Sequence, residues 1–293
     1  MDAFVTRGTT PAARLRALLD RRSAVAAPGC HDALGALLIA QAGFDAVYLS
    51  GYSVAASHGR PDIGLISESQ MVAHVTALTD IVDLPVVADA DTGYGGIVNI
   101  AETVRDYERA GVAALHIEDQ QTPKRCGAMA GKKLVDDAEM SQRLRAALAA
   151  RKGDMMIIGR TDAMTLSGLD ESVRRVKQMA AVGVDAVMVP SLSTLDECRA
   201  IVDAVKVPVF HTVAETIRPL HTQAELAATG LGMALYPITM IQAMVHVQRA
   251  ILAGLRDHGS TKAFVDAMTP LSEVTALLGL DRHVGFENDI VKG

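Results

Sequence analysis

The stretch 114-ALHIEDQQTPKRCGAMAGKK-133 decides how this chain is read. Ala114, Leu115 and Ile117 are apolar and suit a strand. His116 and Glu118 lie two residues apart, which places both side chains on one face. The pattern breaks over 120–123, and a basic loop follows with Lys124, Arg125, Cys126 and Gly127. Flanking cations stabilise a thiolate, so Cys126 is expected to lose its proton more easily than an isolated thiol. Gly127 lets backbone approach a ligand closely. A strand-end carboxylate followed by an activated thiol is an acid–base pair; the competing reading is a surface loop with an incidental cysteine.

Outward from this strand, apolar runs and helical stripes alternate. Strands are expected over 24–28, 46–49, 84–90, 113–118, 155–159, 185–189, 207–212 and 233–236, with helices between them. The segment after the second strand, 53-SVAASHGRPDIGL-65, reads as a loop. About eight strand–helix repeats are the arithmetic of a (β/α)₈ TIM-type barrel. A doubly wound sheet is the runner-up. The 293 residues are read as a single domain, 1–293. A C-terminal helical extension from about 238 to 293 contains helices over 238–255 and 261–277. The first of these is apolar enough to cover another subunit or a barrel mouth.

Composition narrows the class. Hydrophobic residues are 49% and charged residues 21%, so a large core is available and disorder is not expected. A net charge of -6 argues against a nucleic-acid face, although a local basic pocket for an anion remains compatible with it. The three cysteines, Cys30, Cys126 and Cys198, are far apart and suggest no disulfide framework. No apolar signal core opens the chain, and no uninterrupted apolar run is long enough to span a bilayer. The expected setting is cytoplasmic, without membrane or nucleic acid.

In such barrels the C-terminal strand ends carry the chemistry. Here they offer Ser50 and Gly51, Asp89 and Asp91, His116 and Glu118, Cys126 on the next loop, and Arg160 with Asp162. Asp89 and Asp91 have period-two spacing and are expected to face one side, beside Glu118. Three carboxylates at one mouth repel each other, and Mg²⁺ held largely through water relieves this. The alternative for 89–91 is an acidic turn or helix cap. The glycine in 89-DADTG-93 comes too early for a calcium loop, and Gly93, Gly95 and Gly96 lack the dinucleotide-binding spacing. His116 could equally be a core histidine. Arg160 suits a bidentate carboxylate or phosphate clamp, with an ion pair to Asp162 as the alternative.

The segments SGYSVAASHGRPDIGL, VVADADTGYGG, ALHIEDQ, PKRCG, IIGRTDA and LGMALYP together resemble the isocitrate lyase / phosphoenolpyruvate mutase superfamily over nearly the whole chain. The resemblance is strongest to the branch of 2-methylisocitrate and dimethylmalate lyases. It implies Mg²⁺, or Mn²⁺ in its place, held by Asp89, Asp91, Glu118 and Asp62, partly through waters. Ser50, Gly51 and Tyr52 would bind the α-keto acid portion together with Arg160. Lys124, Cys126 and Gly127 would lie on a gating loop, with Cys126 as the acid–base residue. A homotetramer built as a dimer of helix-swapped dimers is also implied.

Three positions depart from the tricarboxylate lyases: Ala128 replaces the histidine of Cys-Gly-His, Pro190 and Ser191 stand where a glutamate is expected, and His211 and Thr212 stand where an asparagine is expected, with Glu215 following. His211 and Glu215 are candidates to replace the lost substrate contacts. The expected function is Mg²⁺-dependent C–C cleavage of a small 2-hydroxy di- or tricarboxylate, releasing pyruvate or a related α-keto acid through an enolate. The alternatives are an oxaloacetate decarboxylase or hydrolase, a phosphonate enzyme of the mutase type, and a degenerate barrel that only binds a keto acid.

Overall fold

A computed structural model describes residues 9–127 and 129–292. The N-terminal residues 1–8 and Ala128, one of the three departures, lie outside the described residues. Eight parallel strands close into a barrel in sequence order: β1 Val25–Cys30, β2 Val47–Leu49, β3 Val86–Asp89, β4 Ala114–Glu118, β5 Met156–Arg160, β6 Ala186–Met188, β7 Val209–Thr212 and β8 Met233–Tyr236. β1 pairs with β8 to complete the ring. The expected (β/α)₈ fold is therefore the observed one.

The helices around it begin with α1 Pro11–Leu19, α2 Ala33–Gln41, α3 Gly51–Ser57, α4 Glu68–Thr79 and α5 Ile97–Arg109. They continue with α6 Asp137–Ala150, α7 Met164–Val182, α8 Leu195–Ala204 and α9 Gln223–Ala227. Local sequence explains several starts. Thr10 caps α1, accepting the Ala13 N–H at 3.0 Å, with proline in the first turn. Ser67 with Gln70 and Thr194 with Glu197 form capping boxes at α4 and α8. α3 corrects the expectation of a loop after β2. Ser50 caps it, accepting the Ser53 N–H at 3.3 Å, and short helices without a long apolar stripe leave little periodic signal.

Period two decides what fills the barrel. On β4 the inward set is Ala114, His116 and Glu118, while Leu115 and Ile117 pack outward under the helices. On β5 it is Met156, Ile158 and Arg160. The N-terminal half of the interior is apolar, filled by Val25, Met156, Ala186, Phe210 and Met233 in one cluster with Leu15 and Leu19 of α1. At the C-terminal ends the inward positions turn polar. The barrel is thus a packed plug with a charged mouth.

The chain divides into two compact units, one ending at Ile241 and the other starting at Gln242. α10, Thr239–His258, crosses that boundary. The later segment, expected as one helix over 261–277, is a 3₁₀ turn Lys262–Ala267 followed by α11 Leu271–Leu277, and a further helix, α12 Leu280–Lys292, was not expected. Pro270 and Gly279, the latter at φ +74°, interrupt it. By length and composition 262–291 could cross a membrane, but it is not one continuous helix. Its apolar residues are strongly exposed: Leu271 81%, Phe286 65%, Ile290 68% and Val291 79%.

Candidate active site

The strand register sets the mouth. Asp89 pairs with His116 across β3–β4, and Glu118 pairs with Arg160 across β4–β5. All four are buried, as are Asp62, Asp91, Lys124 and Asp162. Asp91 lies beyond the end of β3 at φ +47°. The period-two reasoning for Asp89 and Asp91 therefore does not apply. A left-handed turn brings them together instead, and the Asp91 N–H donates to Asp89 Oδ1 at 2.9 Å. Gly51 permits this packing, because a Cβ there would stand 2.7 Å from Asp89 Oδ2.

Lys124 corrects the expectation for the loop. Its ammonium, expected to flank the thiol, turns into the carboxylates, 2.5 Å from Asp62 Oδ1 and 2.7 Å from Asp91 Oδ1. Lys132 is a cation whose charge interacts with Cys126, and it also donates to the Gly127 carbonyl. The Cys126 N–H donates to the Asp62 carbonyl at 3.0 Å, tying the thiol loop to the segment that carries Asp62. Lys132 lay inside the deciding stretch, but only the fold of the loop reveals its direction.

Arg160 makes the ion pair of its alternative reading and also faces the pocket. Nη2 lies 3.1 Å from Glu118 Oε2 and 3.1 Å from Asp162 Oδ1, and the residue lines the pocket at the mouth. Gly127 lies against this ion pair; a Cβ on it would come within 3.1 Å of Arg160 Nη2. Gln120 Nε2 holds Asp162 from the other side at 2.8 Å.

Five carboxylates, Asp62, Asp89, Asp91, Glu118 and Asp162, thus face three buried cations, Lys124, Arg160 and, beside Asp162, Lys132. The imbalance shows in their protonation. Burial pushes Glu118 well above the usual carboxylate range despite Arg160, and neither of its oxygens has a hydrogen-bond donor. Burial, with Asp89 and Asp62 nearby, also pushes Asp91 up to about 7 against the pull of Lys124. Asp89 goes the other way, to about 2, where the surrounding positive groups overcome its burial. His116, pushed by burial down to about 4, is neutral at pH 7, so Lys124 and Arg160 are then the charged partners of Asp89. His116 Nε2 meets the Tyr48 hydroxyl at 3.0 Å, while Nδ1 stands 3.7 Å from Asp89 Oδ1. It is a buried histidine that borders the site.

A divalent cation fits this donor set, since it would satisfy the orphaned Glu118 oxygens and offset the excess negative charge. Among the described residues no three His, Cys, Asp or Glu side chains are grouped to ligate an ion directly. Binding here would run largely through the ion's own waters, which is the habit of Mg²⁺.

The pocket has an empty volume of about 550 Å³. Ser50, Tyr52, Asp62, Cys126, Gly127 and Arg160 line it, as the sequence suggested. Its far wall is Pro190, Ser191, Thr212, Ala214 and Ile217. Ser191 sits at φ +68°, a backbone state that favours glycine and costs a serine roughly 1 kcal/mol. Nothing in the local sequence signals it.

Three expected substrate-binding residues fall outside this lining: Gly51, which packs against Asp89, and His211 and Glu215. His211 alternates outward on β7, where Nδ1 bonds the Val189 carbonyl at 3.0 Å and the ring sits among Leu192, Ile217 and Leu226. Its inward neighbour Thr212 lines the pocket instead. The Glu215 carboxylate accepts the Thr239 hydroxyl. Burial pushes His211 down to about 4. Between pH 4 and 6.5 the unfolded chain holds a proton at this site that the folded chain does not, so acidification favours unfolding. We expect His211→Gln to flatten the fall in unfolding free energy between pH 6.5 and 4.5, by about 1.4 kcal/mol per pH unit at most, seen as a smaller drop in thermal midpoint. Parallel wild-type and variant melting curves would refute this.

Comparison with known proteins places these features in context. The phosphoenolpyruvate phosphomutase family matches residues 15–256. A 2,3-dimethylmalate lyase from Eubacterium barkeri is 38% identical, covering 96% of this chain and 99% of its own. A 2-methylisocitrate lyase from Aeropyrum pernix is 35% identical, covering 92% and 87%. A phosphonopyruvate hydrolase solved with oxalate and Mg²⁺ superposes with a TM-score of 0.87 at 33% identity, covering 96% and 99%.

Proposed function

Because the chain belongs to the phosphoenolpyruvate mutase and isocitrate lyase superfamily, and is a carbon–carbon lyase within it, we propose that it splits a substituted malate. The products are pyruvate, or a close α-keto acid, and a second carboxylic acid. One observation carries the reading: a buried carboxylate cluster with too little positive charge, placed beside a thiol and an arginine in one pocket. Asp89, Asp91, Glu118 and Asp62 would hold Mg²⁺, which supplies positive charge for the oxygens of the keto-acid portion. The Mg²⁺ and oxalate bound by phosphonopyruvate hydrolase support that assignment.

The chain's own residues account for the rest. Arg160, fixed by Glu118 and Asp162, clamps the carboxylate of the nascent keto acid. The substrate hydroxyl gives its proton to a carboxylate of the mouth, its oxygen becomes a carbonyl, and the adjacent C–C bond breaks. The electron pair stays on the departing carbon as an enolate of its own carboxylate. Cys126 delivers a proton to that carbon. The loop over Gly127 keeps water from the carbanion.

Arg160 is the only cation lining the pocket among the described residues, and the far wall is uncharged. This favours a dicarboxylate with alkyl substituents over a tricarboxylate. The relative named dimethylmalate lyase supports the same class. A panel of substituted malates and tricarboxylates, assayed for keto-acid release with Mg²⁺ and with chelator, tests it. Release from tricarboxylates alone would overturn the substrate class, and full turnover in chelator would overturn the metal.

The assembly proposed is a homotetramer with exchanged C-terminal helices. The exposed Leu271, Phe286, Ile290 and Val291 support it, because short helices with such faces are unstable in water alone. Light scattering at micromolar concentration should give a four-chain mass; a monomer would refute it.

A further inference from the structure

We infer that His58 and His74 form a two-histidine site for a borderline first-row divalent cation such as Ni²⁺ or Zn²⁺, separate from the carboxylate mouth. His58 follows the last turn of α3, and His74 lies within α4. Their Nε2 atoms are 3.1 Å apart, with ring centroids 5.3 Å apart and the planes inclined at 68°. Two imidazole nitrogens at about 2.1 Å from one ion stand roughly 3–3.4 Å apart in cis or tetrahedral positions, so the pair already has the bite of a chelate.

The tautomers favour the same conclusion. His74 Nδ1 lies 2.5 Å from the His31 carbonyl, which can only accept. Nδ1 therefore carries the hydrogen, and Nε2 presents a lone pair. A histidine that donates its other ring N–H to a backbone carbonyl has the arrangement that orients metal-bound imidazoles. Without metal, His58 must donate from Nε2 to His74. A cation takes the place of that single proton, and His58 moves its own to Nδ1. The His31 ring is turned to Asp32, 3.3 Å away, and is not a third ligand. No group of three protein ligands forms among the described residues, so water completes the shell. Nitrogen donors without a carboxylate select against Mg²⁺. The bound ion would pin the end of α3, whose other end carries Ser50 and Gly51, and the chain that leads four residues on to Asp62.

Titration calorimetry with NiCl₂ on the full chain, in saturating Mg²⁺, tests this. Wild type should bind one equivalent in the micromolar range. His58→Gln and His74→Gln should each weaken that binding roughly tenfold or more. His31→Ala, which keeps the carbonyl, should bind as wild type. Ni²⁺ should also raise the thermal midpoint of wild type and not of the two glutamine variants. His58 is exposed, so its variant tests the site even if His74→Gln disturbs α4. Unchanged binding in both glutamine variants, or no wild-type equivalent, would overturn the inference.

Discussion

Cys126→Ser is expected to lower turnover about 10²–10⁴-fold while substrate still binds. The thiol lines the pocket, and its backbone is held to the Asp62 carbonyl, so a serine can occupy the same place. What changes is acidity: a hydroxyl is a far weaker proton donor to a carbanion than a thiol. Arg160 and Ser50 keep their partners, so the KM for the keto-acid portion should move little. Steady-state kinetics on the best substrate checks this. Near-wild-type turnover would mean that Cys126 does not protonate the departing carbon. Cys30 and Cys198 are buried, their thiols pushed by burial up to about 12 and about 11, and take no part.

Asp91→Asn is expected to cost about 10²-fold in turnover or more, with activity partly recovered at high Mg²⁺. Asparagine is the informative replacement because the backbone sits at φ +47°, which asparagine tolerates and alanine does not. Alanine would mix backbone strain with the lost charge. The change also leaves Lys124 with Asp62 as its direct partner, so the folded chain should survive it. Mg²⁺-activation curves of variant and wild type measure the effect. Superimposable curves would remove Asp91 from the metal site.

The barrel and the position of most site residues were legible because both follow from strand alternation. Period two on β4 and β5 put His116, Glu118 and Arg160 inside, and ladder register then brought Glu118 to Arg160. The failures occur where alternation stops. Asp91 converges with Asp89 through a left-handed turn, not through strand spacing. His211, a candidate because it stands with Thr212 where the resembling lyases carry an asparagine, is turned outward by one step of alternation, and Thr212 takes the pocket position. Lys124, expected to flank the thiol, pairs with Asp62 and Asp91, and Lys132, to which no role was given, reaches the Gly127 carbonyl, because direction within a loop depends on tertiary contacts. Ser191 left no signal, since its φ of +68° is imposed by its surroundings and not by residue type.

How the bond breaks decides the reaction class, and one measurement addresses it most directly. The best substrate from the panel is converted in D₂O with Mg²⁺, and the products are resolved by NMR. Equal amounts of an α-keto acid and a carboxylic acid are expected, the latter with one deuteron on the carbon that left the bond. Carbon dioxide as a product, or a carboxylic acid that carries no deuteron, would contradict cleavage between the hydroxyl-bearing carbon and its neighbour.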